Sequence, residues 1–251
     1  MKYLLTTLTL CCYCLTVSAQ VEVNNGGWFG SLFGEDRVRG NGEVVDQDRD
    51  LDGFTGINTC CSFRVEVAEG DFNVRVEAES NLLELIETEV HGRTLHIKYT
   101  DGANFKSTEP INVYVSLPEL TGIDASSSSL VKGTTPFSGE NLELDVSSSA
   151  NIIVEFTGDR VDLDASSSGR IEVRGSAQRV TADASSASVI DAEELEAEDG
   201  VADVSSAANI SLHASKSLRA DASSAGSVSY RGNPSELITD TSSAGKVRSR
   251  N

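Results

Sequence analysis

The sequence predicts an all-β fold, a parallel β-solenoid of coils about nineteen residues long with an N-terminal β region as its first coils or its cap. Three observations predict it. An Asp-x-Ser-Ser motif begins at Asp124, Asp145, Asp164, Asp183, Asp203, Asp221 and Asp240, in steps of 21, 19, 19, 20, 18 and 19 residues. Apolar and polar residues alternate with the period of two that a half-buried strand requires. No stretch from 124 to 251 carries apolar residues three and four apart, so helices have no face to pack.

Each repeat divides into two strands. Taking Asp as the reference, positions −3, −1, +1 and +3 read Leu142, Leu144, Val146, Ser148, then Val161, Leu163, Ala165, Ser167, then Val180, Ala182, Ala184, Ser186. These share one face, small and apolar, while Asp and the Ser at +2 take the wet face. A second strand follows each copy, as in Ile152-Val154, Ile171-Val173 and Ile210-Leu212, after Gly or Ala at the corner. One coil cannot bury its inner face alone, so coils must stack, each strand pairing with its equivalents above and below. Six steps of about 4.8 Å make the column roughly 29 Å long.

Ahead of the repeats, Ile57, Thr59, Cys61, Phe63, Val65 and Val67 alternate as one half-buried strand. Glu69-Gly70-Asp71 then turns the chain into a returning strand at Phe72, Val74 and Val76, giving a hairpin or the two sides of a first coil. Leu82, Leu83, Leu85 and Ile86 follow, then strands at Leu95-Ile97-Tyr99 and Ile111-Val113-Val115. The division expected is a signal peptide at 1–19, a flexible spacer at 20–50, and a β-helix domain at 51–251, made of an N-terminal β region (51–123) and the coils (124–251). Within the spacer, Trp28, Phe29 and Phe33 either dock on a partner or fold back over an open edge.

The first nineteen residues have the form of a secretory signal, with Lys2 before the apolar run Leu4 to Val17 and Val17-Ser18-Ala19 as the small-residue exit. No later apolar run reaches the length needed to cross a bilayer as a helix. An exported protein is expected, periplasmic, outer-membrane-associated or extracellular. The net charge is −19, and −20 once Lys2 leaves with the signal. Such a surface repels nucleic acid and anionic lipid. Three of the five cysteines fall within the signal; Cys60 and Cys61 remain. Adjacent strand residues point to opposite faces, so the plain reading is one buried and one exposed thiol, with a vicinal or intermolecular disulfide as the alternative. His91, His96 and His213 are scattered and suggest no metal site.

With Phe54-Thr55-Gly56-Ile57-Asn58, Glu69-Gly70, Asn81-Leu82-Leu83 and Thr94-Leu95-His96-Ile97 in order before the Asp-x-Ser-Ser coils, the chain from about residue 40 resembles the head GIN domain of "putative auto-transporter adhesins", a family common in Bacteroidetes. The resemblance implies a right-handed parallel β-helix and an adhesin-like role. An autotransporter also carries a C-terminal membrane barrel built of many alternating strands. Here the sequence runs eleven residues past Asp240, so export by that route is not expected.

The residues themselves point to no catalytic set. Neighbouring ladder carboxylates at about 4.8 Å repel by roughly 0.9 kcal/mol even at the dielectric of water. Serine hydroxyls and corner amides donating to them would offset this. The sharper alternative is calcium bridging Asp145, Asp164, Asp183, Asp203, Asp221 and Asp240, although the Gly-Gly-x-Gly-x-Asp pattern of calcium-binding coils is missing. No cofactor is otherwise expected. A β-helix lyase or hydrolase would break the repeat with a local carboxylate and Arg or Lys cluster, and every Asp holds the same repeat position. The acid runs at Asp46–Asp52 and Asp191–Glu196 read as solvated turns. The functional expectation is a non-enzymatic binding or adhesin-like module for an unidentified protein or glycan. Its alternatives are an envelope assembly component self-associating through an uncapped last coil, and a carbohydrate-active enzyme.

Overall fold

The computed structural model describes residues 37–250. The signal segment and the aromatic residues Trp28, Phe29 and Phe33 lie outside the described residues. In chain order the first strands are β1 (Val38–Arg39), β2 (Val44–Arg49), β3 (Gly56–Thr59), β4 (Arg64–Glu69) and β5 (Asn73–Glu79). A 3-10 turn at Leu83–Leu85 leads to β6 (Ile86–His91), β7 (Thr94–Tyr99), β8 (Phe105–Lys106) and β9 (Asn112–Leu117). The coils follow as β10 (Gly122–Ala125), β11 (Leu130–Gly133), β12 (Phe137–Val146), β13 (Asn151–Ala165), β14 (Arg170–Ala184), β15 (Val189–Val204), β16 (Asn209–Ala222), β17 (Ser227–Arg231), β18 (Glu236–Thr241) and β19 (Lys246–Ser249). Residues 38–49 of the stretch read as spacer are therefore partly strand.

Every contact from β10 onward is parallel and nearly in register, as a nineteen-residue repeat demands. The long strands β13 to β16 each run along one face of the solenoid, round a bend and onto the other. Their inner residues stack into columns. One runs Val113, Val65, Val131, Ile152, Ile171, Ile190, Ile210 and Val228, all buried. The opposite wall is Leu142, Leu144 and Val146, then Val161, Leu163 and Ala165, then Val180, Ala182 and Ala184. Small residues here let the two faces approach closely.

The N-terminal end closes differently. On the first face β3 pairs in parallel with β7, and β7 pairs antiparallel with the edge strand β6. On the second, β4 pairs in parallel with β9, then β5 and β2 add antiparallel, with β2 at the edge. So β4 and β5 are not a hairpin pair. The run from Ile57 to Val67 is not one strand either: β3 and β4 sit on different faces, separated by a corner at Cys60–Phe63.

The corner corrects the sequence reading in detail. The Ser at +3, expected inside, is exposed, and it starts a pair of residues with positive φ: Ser148 and Ser149, Ser167 and Ser168, Ser206 and Ala207, and their equivalents, all between 47° and 66°. That pair swings the chain to the other face, so the small inner residue falls at +5, as in Ala150, Gly169, Ser188 and Ala208. Each second member donates its amide to the first member's carbonyl in the next coil, as in Ser149 to Ser167 and Ala207 to Ser224, both 3.0 Å. Stacking therefore satisfies a conformation that isolated residues avoid. In the first corner Cys61 and Ser62 take these positions, and Cys60 and Cys61 are joined to each other as a disulfide, both half-buried. The plain reading of two free thiols is overturned: the sharp corner, unlike a flat strand, brings neighbouring side chains to one side.

Candidate functional site: the carboxylate face

The seven repeat carboxylates form one column on the outer surface of the first face. Strand register aligns Asn58, Asp124, Asp145, Asp164, Asp183, Asp203, Asp221 and Asp240, each beside the next. The column continues past Asn58 to His96 and Glu89. Asp side chains stand at this position because the inner neighbours on either side fix the pleat.

Asn58 and Arg219 offset part of the repulsion in the column, which elsewhere shows as raised carboxylate pKa values. Asn58 Nδ2 donates to Asp124 Oδ2 at 2.8 Å, and Arg219 donates to Asp221 Oδ2 at 3.1 and 3.2 Å. Burial, then the charges of Glu143, Asp164 and Asp124, push Asp145 up to about 6. Burial and the flanking Asp164 and Asp203 also raise Asp183. The expected donation from serine hydroxyls is not found: among the described residues no serine bonds a ladder carboxylate, and the corner amides go to corner carbonyls. The Ser at +2 is half-buried in every coil but the last, where Ser242 is exposed.

Two open grooves lie along this face. One, of about 360 Å³, is bordered by Asp183, Asp203, Asp221 and Asp240 with Ser205, Ser223 and Ser242. The other, about 470 Å³, lies where Gly56 and Gly122 leave the outer surface without side chains, beside Arg93, Thr94, Glu143 and Asp145. The ladder residues thus stand together as expected, in single file. Among the described residues, no three His, Cys, Asp or Glu side chains are grouped to hold a metal ion.

One coil does break the repeat, contrary to expectation. Register shifts on both sides of β15, against β14 between Asp191 and Leu195 and against β16 between Ala192 and Glu196 and between Ala197 and Asp199, where the repeat lengthens to twenty residues before shortening to eighteen. Gly175 on the neighbouring strand has φ +115°, and a Cβ there would lie 2.1 Å from the Phe156 carbonyl oxygen. The bulge gathers Glu172, Asp191, Glu193 and Glu194, and cations consume them all. Arg174 pairs with Glu172 at 2.5 Å and with Glu194 at 3.1 Å, Arg170 meets Asp191 at 3.6 Å, and Glu193 takes both Arg231 and Arg250. The acid run at Asp46–Asp52 lies largely on the edge strand β2, with Asp46 paired to Arg75 at 3.1 Å.

The family model described as "putative auto-transporter adhesin, head GIN domain" matches residues 53–234. No curated protein matches the sequence. Among solved structures, a "putative adhesin" of Bacteroides fragilis superposes with TM-score 0.80 at 17% identity, over 84% of this chain and 99% of the other. A "putative adhesin" of Parabacteroides distasonis gives 0.71 at 22%, over 85% and 100%. A "putative lipid binding protein" of the same species gives 0.73 at 20%, over 86% and 100%. At these identities the likeness is one of fold.

Proposed function

This chain belongs to the head GIN domain family, and from that membership we propose that it is an exported, non-enzymatic, adhesin-like binding protein of the cell envelope or surface. The observation that carries the reading is the regular outer face: a continuous column of carboxylates flanked by serines, aligned by the in-register stack of strands. Such a face presents many equivalent hydrogen-bond acceptors to an extended protein or glycan. The family and two of the three structural relatives are described as adhesins and the third as a lipid-binding protein, and the carboxylates gathered at the β15 bulge are paired with arginines. The form of residues 1–19 supports export.

Immobilised protein, without residues 1–19, probed with a glycan array and a surface-protein panel tests this. A ligand whose binding falls when Asp164 and Asp183 are both changed to Asn supports the reading. Cleavage of a polysaccharide, lost on substituting one carboxylate, would replace it with the enzymatic alternative.

A further inference from the structure

The two ends of the second face match each other in strand direction, register and charge. At one end the edge is β19, paired in parallel with β17. Among the described residues no strand pairs with its outer edge, and the last coil leaves Leu237 and Ile238 46% and 52% exposed. At the other end the edge is β2. It runs antiparallel to β5, which runs antiparallel to β9, so β2 points the same way as β19. Tracing partners strand by strand, Lys246 stands above Ser227, Asn209, Val189, Arg170, Asn151, Leu130, Arg64, Asn112 and Glu77, and the column ends on Asp46. The column of Arg248 ends on Asp48 in the same way.

We propose that copies of this chain stack head to tail, the β19 edge of one pairing in parallel with the β2 edge of the next so that Lys246 meets Asp46 and Arg248 meets Asp48. Lys246, Arg248 and Asp48 have no ion pair among the described residues, and Asp46 shares Arg75. The same charges reject the other arrangements. Two β19 edges would oppose cations and two β2 edges would oppose carboxylates, so a closed twofold dimer through either end is disfavoured. The inner columns of Val247 and Ser249 end on exposed Gln47 and half-buried Arg49, so the contact is polar there and relies on backbone pairing and the charge pairs. On the first face the contact sets Asp240 against Glu89, one like-charge pair, with Glu89 already bonded to His91 at 2.8 Å. A head-to-tail contact does not close on itself and grows a filament. The inference uses only the ends of the solenoid and does not rest on the adhesin reading.

Sedimentation velocity of the protein lacking residues 1–19, at about 20 mM and about 500 mM salt, tests it, since surface ion pairs are screened at the higher strength. The average mass should rise with concentration at low salt, without stopping at two chains, and fall toward one chain at high salt. K246E/R248E and D46K/D48K should each weaken self-association at least about tenfold. Mixed together, these two variants should assemble again, because one presents only acidic and the other only basic ends. The substituted side chains are exposed or at the edge, and unchanged melting curves check folding. A wild type that stays monomeric, a plateau at two chains, variants that assemble like the wild type, or a mixture no larger than its components would each overturn the proposal.

Discussion

Glu79 is the most consequential single carboxylate in the cap. It is 1% exposed, and its oxygens accept from Gly42 N at 2.7 Å, Thr108 N at 2.8 Å, Thr108 Oγ1 at 2.6 Å and Ser107 Oγ at 3.1 Å. Burial pushes its pKa up, but the Thr108 hydroxyl and amide, the Gly42 amide and the Ser107 hydroxyl outweigh it and hold the group at about 2. The folded value lies below the unfolded one, so the stability it contributes is present above pH 4.5 and is lost as pH falls toward 2. Glu79→Gln should cost about 1–3 kcal/mol at neutral pH in urea unfolding, and less below pH 3. Ala207, the second positive-φ residue of its corner at 60°, offers the opposite case. An L side chain there costs up to about 1–2 kcal/mol, so Ala207→Gly should raise the melting temperature and Ala207→Val should lower it.

At the scale of the element, the corner decides what can be packed. Ala165, Ala184 and Ala222 occupy equivalent inner positions next to it, 1%, 1% and 4% exposed, where neighbouring coils hold nothing larger than Val146 and Val204. Ala184→Leu should overpack the coil and cost on the order of 1–3 kcal/mol, read as a lower denaturation midpoint with unchanged slope. This column was legible in the sequence because alternation and a fixed period both report on the strands. The corner was not, because two consecutive non-glycine residues at positive φ are stable only when neighbouring coils take up their amides and carbonyls. Period-two patterning continues straight through such a turn, which is why β3 and β4 read as one strand. The β15 bulge left a trace, a step of twenty followed by one of eighteen, whereas its arginine partners arrive from β14, β17 and the C-terminal residues and have no local signature. The Asp column was legible as a ladder but not its relief, since Asn58 and Arg219 lie outside the repeated motif. With Asn58 and Arg219 offsetting part of the repulsion and no cation needed, EDTA should leave the melting temperature unchanged; a midpoint several degrees lower in EDTA than in calcium would establish the bridging alternative.

For the whole molecule, acid and base limits come from different parts. The cap weakens when Glu79 is protonated, and the coils weaken when the column is fully ionised. Asp145, at about 6, has a folded pKa above its unfolded value near 3.8. Its contribution is therefore fully present below pH 3.8 and lost as pH rises through 6, with Asp183 shifted in the same direction. The net charge of −19 adds repulsion that grows over the same range. Stability should accordingly peak at acidic pH, about 4, between the loss of the Glu79 bonds below and the charging of the column above. Asp145→Asn separates the two limbs: it should raise the melting temperature at pH 8, where the aspartate is charged, and leave the fall below pH 4 in place. An equal gain at pH 4 and pH 8 would mean that the substitution acts through packing, and the ladder would then not set the alkaline limb.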